Sequence, residues 1–225
     1  MACEGEDISN HTSPGRKQRN PRENIKELNG KPLMAYTIEE ALKCPEIDRV
    51  VVSTDSKEIA QVAEKYGAEV PFMRPAQLAA DTSKTIDAVW DVLDRLEEDY
   101  EYVVLLQPTS PSRLAEDITG AIQKAVETGK DVVSVSKVQD PPVLMRQMDE
   151  NGELTPLLTE GSTVRRQDMK PWYRVNVERL TKTTSLNDNP AGYEIPRERS
   201  LDIDEPEDFE LASYYLGKRI LVLEM

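Results

Sequence analysis

From Ile47 onward the chain alternates compact apolar runs with amphipathic stretches, a rhythm that predicts a parallel sheet covered by helices. VVVST (Val50 to Thr54) reads as a buried strand. SKEIAQVAEKYG follows with Ile59, Val62, Ala63 and Tyr66 at helical spacing, and Gly67 is placed to stop it. A second helix is expected in DTSKTIDAVWDVLDRLEE, capped by Thr82 or Ser83, with Ile86, Val89, Trp90, Leu93 and Leu96 forming one core-facing stripe. YVVLLQ then predicts a central buried strand, LAEDITGAIQKAVETG a third helix, and DVVSVSKV (Asp131 to Val138) another strand.

After Val138 the rhythm breaks into a polar region, roughly Gln139 to Asn189, rich in Pro, Arg and Thr, in which DENGEL reads as a hairpin turn. This region is expected to leave the sheet as an arm or lid. The pattern returns at RERSLDIDEPEDFELASYYLGK, where Pro206 suits a first helical turn and Phe209, Leu211, Ala212, Tyr215 and Leu216 supply an apolar face. The apolar ending RILVLEM (Arg219 to Met225) reads either as a strand filling a vacant sheet position or as a helix-extending tail. The fold class is therefore α/β, one domain over residues 21–225 with an arm at about 139–189, preceded by a loose or atypical N-terminus over residues 1–20.

Charge narrows the function. Among 225 residues, 28 Lys and Arg stand against 42 Asp and Glu, a net charge of -14, which argues against a chain that coats nucleic acid or an anionic membrane. An anionic ligand must then meet a local basic patch or a metal ion. Cys3 and Cys44 have neither metal-ligand spacing nor the number for a disulfide framework, so a reducing, cytoplasmic setting is expected. No stretch resembles a signal peptide or an 18-residue apolar span, so a soluble protein is expected.

In open α/β sheets ligands sit outside the carboxyl ends of the strands. Polar clusters fall there: Ser53, Thr54 and Asp55 after the first strand, Gln107 to Arg113 with Thr109 and Ser110 after the second, and Asp202 to Asp204 before the last helix. Taken singly, the first could be only a helix cap and the second only a turn. In Asp202-Ile203-Asp204, alternation along an extended segment puts both carboxylates on one side, close enough to share Mg²⁺, with Mn²⁺ as an alternative. Helix capping is the competing reading of that pair. A dicarboxylate-held Mg²⁺ usually meets substrate phosphates, which points to a nucleoside triphosphate or a nucleotide sugar. The basic cluster Arg16, Lys17, Arg19 and Arg22 reads equally as phosphate-binding or as a solvated tail, and Arg165, Arg166 and Lys170 pose the same choice.

NIKELNGKPLMAYTIEEAL, DRVVVSTDSKEIAQVAEKYGAEVPFMRPAQLAADTS, YVVLLQPTSPSR, RRQDMKPWYRVN and IPRERSLDIDEPEDFELA together resemble the acylneuraminate cytidylyltransferases, from about Pro21 to Gly217. The resemblance implies a Rossmann-like nucleotidyltransferase, an arm used in dimerisation to a homodimer or tetramer, and Mg²⁺-dependent transfer of CMP from CTP to a nine-carbon sugar acid. By position it implies Asp202 and Asp204 as the metal pair and Gln107 as the contact to the sugar acid. It places Arg74, Asp81 and Ser83 in the segment that holds cytosine and ribose, and Asn24 at the end of the first phosphate-binding loop. It also places Arg166 and Gln167 in an arm motif that reaches into an active site, that of a partner subunit.

The chain departs from that pattern twice. Where the family opens with a strand and a loop of the form ARSGSKGLPRKN, this chain has GEDISNHTSPGRKQRNPREN, with Glu23 where a phosphate-facing lysine is expected and Arg22, Arg16 or Lys17 as compensation. At YRVNVERL about half a dozen residues of the family pattern are absent, and with them a strand of the sheet is expected to be lost. Four functions remain open: a sialic-acid-type cytidylyltransferase, one acting on Kdo or another sugar acid, a catalytically impaired nucleotide-binding homologue, and a small glycosyltransferase using Asp-Ile-Asp. The helix EPEDFELASYYL, following that motif at once, leaves little room for the acceptor domain the last would need.

Overall fold

A computed structural model of the protein describes residues 21–79, 83–98, 100–158, 169–181 and 191–223. The expectations for the N-terminus over residues 1–20 therefore lie outside the described residues. A 3₁₀ turn, Pro21–Ile25, leads into a hairpin of β1 (Glu27–Leu28) and β2 (Lys31–Pro32). Its two-residue turn is Asn29-Gly30, both at positive φ (50° and 79°), the backbone that a tight hairpin with right-handed twist demands. Then come α1 (Leu33–Leu42), α2 (Lys57–Lys65), α3 (Thr85–Leu96), β3 (Val103–Leu105), α4 (Ala115–Thr128) and β4 (Val132–Lys137). The second half holds β5 (Arg146–Met148), β6 (Leu154–Pro156), β7 (Tyr173–Thr181), β8 (Ala191–Glu194) and α5 (Pro206–Leu223).

The main sheet has four strands in the order β3-β7-β4-β8. β7 is antiparallel to both β3 and β4, and β8 is parallel to β4, so β3, β4 and β8 run the same way and share one carboxyl rim. α4 covers one face: Ile118, Ile122 and Ala125 pack on Val132, with Val104, Leu106 and Tyr193 around them. α1 and α2 bury Met34, Ile38, Ile59 and Ala63 with Val50 and Val52, and α5 closes a third cluster through Ala212 and Leu216 against Leu28 and Leu33.

Several sequence expectations need correction. Val50 to Thr54 is extended but forms only an isolated parallel bridge, Val51 to Glu69, held by Val52 N–H to Glu69 O (2.9 Å) and Glu69 N–H to Val50 O (2.8 Å). Among the described residues nothing extends that ladder, so the segment stays a single rung. β3, expected at the centre, is the half-buried edge of the described sheet. α3 is not capped by Ser83: its N-cap is Lys84, and the Ser83 hydroxyl instead donates to Gln77 O at 2.6 Å. The stripe of α3 joins none of the three buried clusters, and Trp90 is 39% exposed rather than core. Leu211, assigned to the inner face of α5, is exposed as well, because that helix buries a narrow seam centred on Ala212 and Leu216.

The strand expected to be missing at YRVNVERL is present. Tyr173, Val175 and Val177 alternate, and the segment forms β7, bonded on both edges. The stretch 139–189 is thus not wholly an arm, since β7 returns to the sheet while the hairpin β5–β6 stands apart from it. That hairpin turns at DENG as expected, with Asp149 N–H on Glu153 O (3.1 Å) and Gly152 at φ 83°. RILVLEM does not fill a sheet position: α5 runs on to Leu223, since no Pro or Gly follows Gly217 and a nucleated helix propagates cheaply through Arg, Ile, Leu and Val.

Candidate active site

The carboxyl end of β3 runs into the turn Gln107 to Arg113, and four hydrogen bonds fix where it lies. Thr37 Oγ1 of α1 donates to Gln107 O (3.4 Å), and Ser110 N–H closes the turn on the same carbonyl (3.4 Å). Ile203 N–H donates to Thr109 O (2.9 Å), and Ser110 Oγ donates to Asp202 Oδ1 (3.4 Å). Two segments far apart in the chain are thereby laced together, with Ser110, Ser112 and Arg113 buried behind the turn. Thr109 Oγ1 is buried with no hydrogen-bond partner among the described residues, a polar atom left for a bound group to satisfy.

Leu201 and Ile203 both pack against the cluster of Leu28, Leu33, Ala212 and Leu216. In an extended segment their shared burial turns Asp202 and Asp204 to the opposite side, away from the core. Neither carboxylate is spent on capping α5. Asp208 does that, its Oδ2 accepting the N–H of Asp204 (3.1 Å) and of Glu205 (2.9 Å). The pair fits a hard divalent cation: two carboxylates free of helix capping, a hydroxyl on one of them, and the unsatisfied Thr109 oxygen on the adjoining turn. No group of three or more His, Cys, Asp or Glu side chains suited to a metal occurs among the described residues.

The second flank of the rim lies at Ser53 and Thr54. Arg74 Nε donates to Ser53 Oγ (3.0 Å), its Nη2 donates to Ser53 O, and its backbone N–H donates to Thr54 O (2.8 Å). Thr54 Oγ1 accepts from Ser56 N–H (3.1 Å), and Ser56 caps α2. Asn24 is half-buried on the 3₁₀ turn, whose Ile25 packs onto Met34, Ile38 and Ile59, while Glu23 is exposed. Arg22 belongs to the same turn. The structure therefore joins Gln107, Thr109, Ser110 and Asp202 directly, ties Arg74 to Ser53, and holds Ser83 against the turn at Gln77. Arg16, Lys17, Asp81, Arg166 and Gln167 lie outside the described residues.

Three features were not singled out from sequence. Thr37 is a polar residue inside the buried stripe of α1, which is its only signal. Arg199, three residues before Asp202, pairs with Glu116 and lies 3.5 Å from Asp117 Oδ1 at the start of α4. At the carboxyl ends of β4 and β8, Glu194 accepts from Tyr173 Oη (2.9 Å) and pairs with Lys137 (3.2 Å). The tyrosine hydroxyl first, then the lysine, holds the Glu194 carboxyl below the usual carboxylate range.

The Asp202–Asp204 segment and the Gln107 turn, laced together beside the carboxyl rim of an α/β sheet, form an arrangement suited to handling a nucleotide. Solved structures with this architecture include CMP:2-keto-3-deoxy-manno-octonic acid synthetase in complex with CTP (TM-score 0.66, 14% identity, 89% of this chain and 94% of that one). Another is 4-diphosphocytidyl-2C-methyl-D-erythritol synthase of Anaerococcus prevotii (TM-score 0.61, 16% identity, 87% and 94%). The family model described as Cytidylyltransferase matches residues 18–214, and the chain belongs to that family. Among its relatives, the CMP-N,N'-diacetyllegionaminic acid synthase of Legionella pneumophila is 39% identical, across 86% of this chain and 89% of its own. The N-acylneuraminate cytidylyltransferase of Escherichia coli is 34% identical across 81% and 45%, and the pseudaminic acid cytidylyltransferase of Campylobacter jejuni 29% across 88% and 90%.

Proposed function

We propose that this chain transfers CMP from CTP to the anomeric hydroxyl of a nine-carbon sugar acid of the sialic-acid type. The observation that supports the reading is the pair of bonds, Ser110 to Asp202 and Ile203 to Thr109, that brings the Gln107 turn and the Asp202–Asp204 segment together. In the reaction the hydroxyl oxygen forms a bond to the α-phosphorus while the bond from that phosphorus to the bridging oxygen breaks. Pyrophosphate leaves with the electron pair, and the hydroxyl proton passes to solvent. Such a step needs positioning and charge neutralisation more than covalent help from the protein.

Gln107 donates and accepts hydrogen bonds without adding a negative charge, so it suits an acceptor that is itself a carboxylate. Its backbone is pinned by Thr37 and by the Ser110 closure, and Pro108 and Pro111 lower the entropy lost in ordering the turn. Arg74, fastened to Ser53, supports the nucleotide flank with Ser83 and Asn24. Asp202 and Asp204 would hold Mg²⁺, or Mn²⁺ in its place, which when bound would neutralise triphosphate charge.

We assign the working unit as a homodimer built through the β5–β6 hairpin, in a reducing cytoplasmic setting. Met148 is 72% and Leu154 63% exposed there, and Leu157, just after β6, is exposed as well, more apolar surface than a solvated hairpin needs. No helix of the described residues is long and apolar enough to cross a membrane.

The deciding assay gives the purified chain CTP, Mg²⁺ and a panel of N-acetylneuraminic, N,N'-diacetyllegionaminic, pseudaminic and 3-deoxy-manno-octulosonic acids, and follows pyrophosphate. Release with one of the first three supports the proposal, and release with the octulosonic acid alone replaces the acceptor. Absence of release with every acid, alongside retained CTP binding, would leave a nucleotide-binding homologue.

A further inference from the structure

Besides the core packing of Leu201 and Ile203 and the Asp208 bonds to Asp204 and Glu205 N–H, the segment bearing the carboxylate pair is tied at two points to the turn and helix that follow β3. At its far end Ile203 N–H bonds Thr109 O, and Ser110 Oγ reaches Asp202. At its near end Arg199 reaches the first turn of α4. Its Nη1 pairs with Glu116 and its Nη2 lies 3.5 Å from Asp117 Oδ1. The two acids differ in environment. Glu116 has a side chain 69% exposed, where an ion pair is screened and weak, whereas that of Asp117 is 3% exposed.

Asp117 also works in the other direction. Its Oδ2 accepts the N–H of Leu114 (3.0 Å), the N-cap residue of α4 and the one directly after Arg113 at the end of the Gln107 turn. One buried carboxylate therefore holds the arginine that precedes the cation-binding pair and the backbone that follows the acceptor turn. Between the two anchor points lie Ser200, Leu201 and Asp202, with Ser200 folded back on Arg197 O through its N–H (3.0 Å) and its hydroxyl (2.8 Å). Without Arg199, the 200–204 segment would be tied to the turn only at the Thr109 and Ser110 end, and could pivot there. Loosening at the Arg199 end would let the segment shift its carboxylates relative to Gln107, opposed only by the packing of Leu201 and Ile203 and by the Asp208 bonds.

We propose that Arg199 is a positioning residue which, through Asp117, fixes the Asp202–Asp204 pair against the Gln107 turn. This rests on the reading of Asp202 and Asp204 as the cation-binding pair. Groups that orient ligands from behind typically contribute about 10–100-fold to metal affinity. The consequence separates from ordinary stabilisation, because loss of a structural arginine lowers the melting temperature without changing how the folded fraction binds a cation.

The test uses Mn²⁺ in the presence of CTP, its binding followed by electron paramagnetic resonance, on the wild-type chain, Arg199→Ala, Arg199→Lys and Asp117→Asn, with melting temperatures alongside. Arg199→Ala should weaken Mn²⁺ binding about 10-fold or more, and Arg199→Lys, which keeps the charge, should recover part of the loss. Arg49→Ala serves as control, since Arg49 anchors an ion network at the opposite end of Val50 to Thr54 and should lower the melting temperature with Mn²⁺ affinity unmoved. Wild-type Mn²⁺ affinity in folded Arg199→Ala overturns the proposal. If that variant does not fold, Arg199→Lys and Asp117→Asn decide, and a lowered melting temperature with unchanged Mn²⁺ affinity in both overturns it. No Mn²⁺ binding by the wild-type chain with CTP overturns the underlying reading of the pair as well, which sets that failure apart.

Discussion

Gly120, in the middle of α4, is where a single methyl group should be felt most. A Cβ built there would fall 2.1 Å from Tyr193 Oη, 2.3 Å from Cζ and 2.8 Å from Cε2, whereas non-bonded carbons settle at about 3.5–4.0 Å. The ring would have to retreat by more than about 1 Å. The ring is planar and rigid and packs against the cluster of Ile118, Ile122 and Val132, so retreat means moving the strand, opening the core or forcing the side chain off a staggered rotamer. Overpacking costs about 1–3 kcal/mol, and three contacts under 3.0 Å to one ring put Gly120→Ala in the upper half of that range. Against this, alanine in a helix interior recovers about 0.5–1 kcal/mol of backbone entropy. The net loss is about 1–2.5 kcal/mol, a melting temperature lower by roughly 2–10 °C for a chain of this size. Circular dichroism melts read it directly. The cause is isolated by Tyr193→Ala, which removes the obstructing ring: the double variant should be less destabilised than the sum of the singles, by about 1 kcal/mol or more. A Gly120→Ala variant as stable as the wild type, or strictly additive effects, would refute the close approach of β8 to α4.

Asp204→Asn should abolish divalent-dependent pyrophosphate release while the melting curve stays in place, and unchanged turnover would remove Asp204 from the cation-binding pair. Gln107→Ala should raise the acceptor KM about 3–10-fold with the CTP KM unmoved, the scale of one hydrogen bond; equal effects on both substrates would contradict its role at the acceptor. Met148→Asp combined with Leu154→Asp should shift the chain to monomer in light scattering, and an unchanged mass would take the hairpin out of the dimer. At the opposite end of the sheet Arg49 pairs with Glu69 and Glu98, and Glu98 also accepts from Tyr100. The Arg49 hydrogen bond holds the Glu69 carboxyl below the usual range, and Tyr100 first, then Arg49, does the same for Glu98. Depressed carboxylates add stability above their unfolded pKa values and lose it in acid, so Arg49→Ala should lower the melting temperature at neutral pH, with the gap closing below about pH 4. A gap constant from neutral pH into acid would contradict the network.

The parts of this fold that were legible in sequence are those written in local periodicity. α2 and α4 follow from apolar spacing and, for α2, from Gly67, because helix ends are satisfied by neighbours within a few residues. The failures share a different cause. Val50 to Val52 is as β-branched as Val132 to Val135, yet only the latter becomes a laddered strand, since a strand is completed by partners elsewhere in the chain. β7 was hidden for the converse reason. Its alternation sits between polar stretches, and its place is fixed by two neighbours, Val103 to Leu105 on one side and Val132 to Lys137 on the other. Trp90 misled because an apolar stripe specifies a face and not the surface that will cover it.

The same division runs through the candidate site. Asp202 and Asp204 were readable as a pair because Leu201 and Ile203 alternate with them, and the core that takes the leucine and isoleucine turns both carboxylates outward. What sequence could not supply is the distance from that pair to Gln107, since the residues that set it, Thr109, Ser110, Asp117 and Arg199, are spread over the chain and meet only in the fold. Chemistry of this kind tolerates little error in separation: a misplacement on the scale of 1 Å is enough to cost about 100-fold in rate. The residue types of the candidate site are therefore easier to pick out in sequence than the residues that set their spacing. Arg199 illustrates the difference, because its neighbours in sequence mark it as one more charge beside Glu198, whereas the fold gives it a buried carboxylate that also holds the turn across the rim.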